Sequence, residues 1–202
     1  AEGLTRGTIV GEAYANRGEV LAPFKSKQYE TGVKVDWGSL TTTVALYQIA
    51  RPAGQENADN VYGYFGEQRN RGLEITGFGE VTRSLRMMAS AAYIDSELTK
   101  TQGGVNQGNR PAGVPASTYS LGLDWDTPWV QGLSLNGRTV RTSSVYLNNT
   151  NTLRLSGYTR FDVGARYAMK VAGKDVVLRA NVENLTDRKY WLASGSFATN
   201  AA

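Results

Sequence analysis

Apolar residues return at every second position through much of this chain, and that period constrains the fold most, because only a strand sends alternate side chains to opposite faces. Over 28–37, Tyr29, Thr31, Val33, Val35 and Trp37 share one parity, and Gln28, Glu30, Gly32, Lys34 and Asp36 share the other. The same division runs over 118–125, with Tyr119, Leu121, Leu123 and Trp125 against Thr118, Ser120, Gly122 and Asp124. Over 158–167, Phe161, Val163, Ala165 and Tyr167 oppose Arg160, Asp162, Gly164 and Arg166; over 176–183, Val176, Leu178, Ala180 and Val182 oppose Val177, Arg179, Asn181 and Glu183. Four further segments are less regular. Segment 40–50 fits either parity, 73–81 sends Phe78 to the polar side, and 85–97 sends Met88 and Ile94 there. Segment 133–142 leaves Arg141 on the apolar side near a strand end, where a long stem can snorkel. About eight strands are expected.

The connections alternate as strictly as the side chains. Those at 38–39, 82–84, 128–131 and 170–174 are short, whereas 51–67, 99–116 and 143–157 are long and rich in Gly, Asn, Gln or Thr. Tight turns at one end and long loops at the other are the pattern of an antiparallel up-and-down meander crossing a membrane, and strands of about ten residues suit a tilted crossing. Aromatic residues mark both ends. Trp37, Trp125, Trp129 and Tyr167 lie beside short turns, while Tyr29, Tyr93 and Tyr119 lie toward the long loops, as two interfacial belts require.

Composition decides between this reading and its rivals. No stretch of about eighteen apolar residues is present, which excludes a helical span but not a barrel, whose alternating strands average to ordinary hydropathy. A soluble sandwich or small barrel would fill its centre with the apolar set. The opposite set holds Glu30, Lys34, Asp36, Glu74, Arg86, Asp124, Arg138, Arg160, Asp162, Arg166, Arg179 and Glu183, and so many charges of both signs fit a wide wet lumen laced with ion pairs. The chain has neither Cys nor His, which removes disulfides, thiolate metal sites and the usual nucleophile–base arrangements. A net charge of +4 is dispersed along the chain, not gathered in a block, so nucleic acid is not an expected partner. The start, Ala1 to Leu4, has neither the basic nor the apolar region of a signal peptide.

Three stretches resemble the TonB-dependent outer-membrane siderophore receptors: Asn16 through Lys34, reading NRGEVLAPFKSKQYETGVK; Gly66 through Glu74, reading GEQRNRGLE; and Asn181 through Trp191, reading NVENLTDRKYW. They look like that family's entry into a descending strand, its return from a loop, and its penultimate strand with the loop that follows. The resemblance implies an all-β chain of about eight strands forming an arc of a 22-stranded transmembrane β-barrel in the bacterial outer membrane. It also implies a fragment, 1–202, lacking the plug domain and the final strand. The partners it implies are a ferric siderophore, outer-membrane lipid and the TonB complex, the last reached through the missing plug region. Iron arrives inside its organic chelate, so no cofactor held by protein ligands is expected. The rival reading is a passive porin or structural barrel, and a barrel enzyme is disfavoured by the missing histidine.

Ligand recognition would then fall to aromatic and cationic side chains on the long loops. Candidates are Tyr62, Tyr64 and Phe65 in the first loop, Arg110 in the second, Tyr146 in the third, and Trp191 and Phe197 in the last, where the resemblance implies a ligand-facing aromatic. Tyr190 is expected in the interfacial belt. Asp95 and Glu97 are a same-face carboxylate pair at a strand end, read as solvated charge, and the Asn184-Leu185-Thr186 sequon is read as a turn.

Overall fold

The computed structural model of the chain describes residues 2–4 and 7–192. It contains thirteen strands: β1 (Glu2–Leu4), β2 (Thr8–Ile9), β3 (Val20–Leu21), β4 (Lys25–Asp36), β5 (Leu40–Glu56), β6 (Tyr62–Thr82), β7 (Leu85–Lys100), β8 (Ser117–Asp126), β9 (Leu133–Thr142), β10 (Val145–Tyr146), β11 (Arg154–Leu155), β12 (Tyr158–Val171) and β13 (Lys174–Val182). Nine of them make one sheet in the order β1-β4-β5-β6-β7-β8-β9-β12-β13, and each neighbouring pair is antiparallel. The eight long strands are thus the expected meander, joined in sequence order, with the short β1 pairing ahead of them. The pairs β2–β3 and β10–β11 form small separate hairpins in the loops.

Register turns the sequence parity into two continuous faces, because directly paired residues point the same way. Val33 faces Val44, which faces Ile75, which faces Ala91, while Leu121 pairs Ala89 and Leu123 pairs Met87. Farther along, Trp125 pairs Leu135, Leu135 pairs Ala165, and Ala165 pairs Ala180. The segment that fitted either parity is settled by its partners: Val44 and Leu46 join the apolar face, and Ala45, Tyr47 and Ile49 the polar one. Phe78 and Met88 are partners on the polar face, where Ile94 also lies opposite Gly72.

The apolar face has no counterpart within the described residues. Their buried hydrophobic residues are Val10, Leu98 and Val145, whereas Val33 is 65% exposed, Leu46 56% and Leu178 55%. A water-soluble protein of this size would bury such a face against a second layer. Hydrocarbon is the medium in which this surface lies at low cost, since the ladder already satisfies the backbone. Among the described residues no helix is long and apolar enough to cross a membrane.

Turns at one end are brief: 37–39, 83–84, 127–132 and 172–173. Ala172 and Gly173 both have positive φ, 50° and 76°, the pair of left-handed residues that a two-residue hairpin needs. Beside these turns Trp125 and Trp129 meet edge to face at 4.8 Å, and the Trp37 indole donates to Thr42 Oγ1 at 3.0 Å.

The opposite end corrects one sequence expectation. The first long loop, expected over 51–67, is a continuation of the β5–β6 ladder to an apex of only 57–61. At 21 residues β6 spans about 70 Å, roughly twice what a membrane crossing requires, so its upper half stands in water. Gly54 is tolerated in that ladder because the Tyr62 ring lies across it, occupying the space a side chain would need. The second and third loops, 101–116 and 143–157, are long as expected, although β7 reaches Lys100 and the third loop contains the β10–β11 hairpin.

Candidate functional site

On the polar face the charged residues are organised by the strands that carry them. Arg86 on β7 reaches Asp124 and, at 2.8 Å, Asp126 on β8. Ser134 on β9 donates to Asp126 at 2.6 Å, and Arg166 on β12 donates to Ser134 at 2.9 Å, which joins four strands in one polar chain near the short turns. Higher up, Arg160 pairs with Asp162 at 2.9 Å. These are the ion pairs that a wet lumen implied. Their charges are not evenly spread: β4 to β6 present Glu30, Asp36, Glu74 and Glu80 with Lys34 and Arg51, whereas β9, β12 and β13 present Arg138, Arg160, Arg166, Lys170 and Arg179 with Asp162 and Asp175.

The long-loop end divides the candidate ligand residues among separate clusters. Tyr62 and Tyr64 lie on β6, not in a loop, and the segment before β4 folds over them. The Tyr14 and Tyr62 ring centroids are 4.8 Å apart, Phe24 meets Tyr64 edge to face at 4.9 Å, and Tyr64 bonds Thr8 Oγ1. Asn16 closes the cluster by accepting from Tyr62 N and donating to Tyr62 O, both at 2.9 Å. Burial, helped by the neighbouring Tyr14 and Tyr64, raises the Tyr62 phenol above its ordinary value. Phe65, also on β6, remains 45% exposed.

Arg110 acts as a clasp between loops. Its guanidinium donates to the Ile94 carbonyl at 2.9 Å and stands 3.9 Å from Asp95, while its backbone exchanges two hydrogen bonds with Asn151 in the third loop. Asp95 is thereby matched to a cation, as Glu97 is to Arg69. The Tyr146 carbonyl accepts from Gly113 N, and the Tyr146 ring carries Arg154 at 5.9 Å from its centroid.

Trp191 opens a different feature. Together with Tyr190, Arg188, Lys189, Arg154 and Leu155 it lines a cavity of about 230 Å³ between the third loop and the segment after β13. The cavity is held by three fixed points. Arg154 is bound to Ser144 Oγ through Nε at 2.8 Å; Asn184 both accepts from Arg188 N and donates to Arg188 O; and Asn184 N donates to Asp162 on the sheet at 2.9 Å. Tyr190 stacks on Tyr158 at 4.0 Å, and Tyr158 shares the polar face with Arg160, so Tyr190 is drawn to that face and not to the interfacial belt. Asn184-Leu185-Thr186 is a turn, as its sequence suggested, with Asn184 at φ 53°. Phe197 lies outside the described residues.

Sequence reading missed Arg154, Arg188 and Lys189. All three are loop cations, but their meeting depends on two loops separated by the whole of the β12–β13 hairpin.

With this geometry in place, the chain can be set beside known proteins. Residues 3–185 match the family described as TonB dependent receptor-like, beta-barrel. The ferrichrome receptor FcuA of Yersinia enterocolitica is 43% identical over 90% of this chain and 24% of its own length. The ferrichrome outer membrane transporter/phage receptor of Escherichia coli K12 is 34% identical over 86% of this chain and 24% of its own length. The crystal structure of BauA, the ferric preacinetobactin receptor of Acinetobacter baumannii, superposes with a TM-score of 0.83 and 40% identity, covering 96% of this chain and 30% of that one. The chain spans about a quarter of the length of the curated relatives it matches. Its eight-stranded arc, lipid-compatible outside and charged inside, therefore has an established place: the chain belongs to the TonB-dependent receptors of the bacterial outer membrane, a family of transporters and not of enzymes, as part of their β-barrel.

Proposed function

We propose that this chain walls part of an outer-membrane receptor that captures a ferric siderophore at its long-loop end and imports it with energy relayed by TonB. The carrying observation is the two-faced sheet: an apolar surface for lipid, a charged wall for a water-filled passage, and a pocket of cations and aromatics above that wall. Relatives named for ferrichrome and ferric preacinetobactin support the ligand class. Iron enters as a chelate already saturated by its organic ligands, so the protein supplies shape, aromatic surface and charge, not metal ligands.

Trp191 is the ligand-facing aromatic, with Tyr146 positioned through Arg154. Arg110, Tyr62 and Tyr64 support the rim by holding loops and hairpin together. Phe65 and Phe197 are the remaining aromatics proposed to contact the chelate. TonB acts through the plug region that receptors of this kind carry, and the apolar face contacts outer-membrane lipid.

Uptake of labelled iron tests this. The full-length receptor, expressed in cells lacking their own siderophore receptors, should transport ferric siderophore only when TonB is functional. Uptake that persists without TonB, together with free passage of small sugars, would instead make the barrel a passive pore.

A further inference from the structure

The outer face of the sheet changes character at one step along its strands. Directly paired residues lie side by side, so that face divides into rungs. Val33, Val44 and Ile75 form one, and Thr31, Leu46, Leu73 and Tyr93 form the next toward the long loops. The rung above them is Tyr29, Gln48, Arg71 and Asp95. Apolar side chains thus give way to a phenol, an amide and charge within about 7 Å, the length of two residues of strand. On a membrane barrel that step marks the passage from hydrocarbon to headgroups.

Arg71 is the cation of this boundary without an acidic partner. Among the described residues it enters no ion pair: Asp95, opposite it in register, stands 3.9 Å from Arg110, and on the rung above Glu97 holds Arg69 at 2.5 Å. Arg71 is nonetheless fixed. Its Nε donates to Gln48 Oε1 at 2.8 Å, which orients the guanidinium and leaves its two Nη groups without a partner among the described residues. Lys27, the next outward residue above Tyr29, likewise enters no ion pair among them. Tyr29, Thr31, Leu46, Gln48 and Arg71 line one shallow groove of about 390 Å³. Its lower end is apolar and open, with Leu46 56% exposed, and its upper end carries the guanidinium. Farther round the same face Arg141 repeats the arrangement, for it partners Tyr119 and donates to Thr159 Oγ1 at 3.1 Å.

An oriented guanidinium with a free edge matches two oxygens of one phosphate, and the apolar strip beneath it suits the chains that such a phosphate carries in a lipid. A zwitterionic headgroup brings its own ammonium, which competes for the same oxygens. We propose that the Tyr29–Gln48–Arg71 groove binds the anionic phosphate headgroup of an outer-leaflet lipid, with Leu46 and Val44 receiving the first carbons of its chains. The inference rests on the reading of the apolar face as lipid-contacting and adds one specific lipid site to it.

Native mass spectrometry of the full-length receptor, released from non-ionic detergent that contains a chosen lipid, counts the molecules retained. The probes are dimyristoyl phosphatidic acid and dimyristoyl phosphatidylcholine, which share their chains and differ in whether the phosphate is covered by an ammonium. The parent should retain phosphatidic acid in preference, and Arg71→Gln should bind one molecule of it about fivefold to tenfold more weakly. Gln48→Glu keeps the arginine but gives it a carboxylate, and should lose the same molecule while the thermal midpoint holds or rises; it tests the site even where Arg71→Gln weakens the barrel. Equal retention of the two lipids by the parent, or of phosphatidic acid by the parent and both variants, overturns the site. Displacement of the retained lipid by excess inorganic phosphate also overturns it, since the chains would then contribute nothing. Each of these results leaves the faces as assigned, whereas absence of lipid contact along Val44 and Leu46 overturns both.

Discussion

Tyr190 lies flat on Tyr158, their ring centroids 4.0 Å apart and their planes 15° from parallel. The stack ties the segment after β13 back to the first residue of β12, and the next residue along is Trp191, 78% exposed at the mouth of the basic pocket. An aromatic pair of this kind contributes about 0.5–1.5 kcal/mol beyond the area it buries. Tyr190→Ala should therefore leave the barrel folded but free the pocket wall, seen as easier quenching of Trp191 by acrylamide than in the parent receptor. Unchanged quenching would mean that the Asn184 turn alone positions the segment.

The polar chain near the short turns supports a second expectation. Arg86 serves both Asp124 and Asp126, so Arg86→Met leaves two neighbouring carboxylates side by side on one face of β8 with only Arg166 nearby. The thermal midpoint of the receptor should fall by a few degrees, and part of the loss should return in high salt, which screens the carboxylate repulsion. A variant as stable as its parent at low salt would show that the lumen charges are independently solvated.

The Tyr62 cluster gives a dependence on pH at the hairpin tip, outside the membrane. Its phenol is raised above the ordinary value of 10.0, first by burial and then by Tyr14 and Tyr64. Below that pH both folded and unfolded forms keep the proton, and the shift contributes nothing. Above it the unfolded chain ionises first, so the native hairpin is progressively disfavoured as pH climbs through the raised value. Ultraviolet titration should show late-ionising tyrosine absorbance that loses one residue's share in Tyr62→Phe, and an unchanged titration in that variant would refute the assignment.

Side-chain parity was legible in the sequence wherever lipid lies on one face and water on the other, because both media select: Val33, Leu121, Val163 and Leu178 could be placed by alternation alone. Phe78 and Met88 show what alternation cannot foresee, since the polar face accepts two apolar residues at directly paired positions. Above the membrane the signal fails for a physical reason. Both faces of the upper β5–β6 hairpin meet water or other loops, so Pro52, Gly54, Gly63 and Gly66 read as loop while the backbone ladder carries on through them. The pocket was only half legible. Trp191 could be named from the segment that bears it, but Arg154 reaches it through the return of β12, which no local pattern reveals.

Adjacent positions on β5 should respond oppositely to charge. Val44→Arg places a cation on the apolar face opposite Val33 and Ile75, where the expected cost is about 2–4 kcal/mol at mid-membrane depth. Thr43→Arg points to the charged wall between Lys34 and Thr76 and should cost far less. Urea unfolding of the full-length receptor in lipid vesicles measures the difference, and equal costs at the two positions would contradict the assignment of faces.

Spin labels placed one at a time at Thr41 through Tyr47 in the full-length receptor measure the same division without adding charge. Relaxation by oxygen, which dissolves in lipid, should peak at positions 42, 44 and 46, and relaxation by a water-soluble nickel chelate at 41, 43, 45 and 47. Loss of the alternation, or its inversion, would mean that Val44 and Leu46 do not face hydrocarbon and that the chain is not the wall of a membrane barrel.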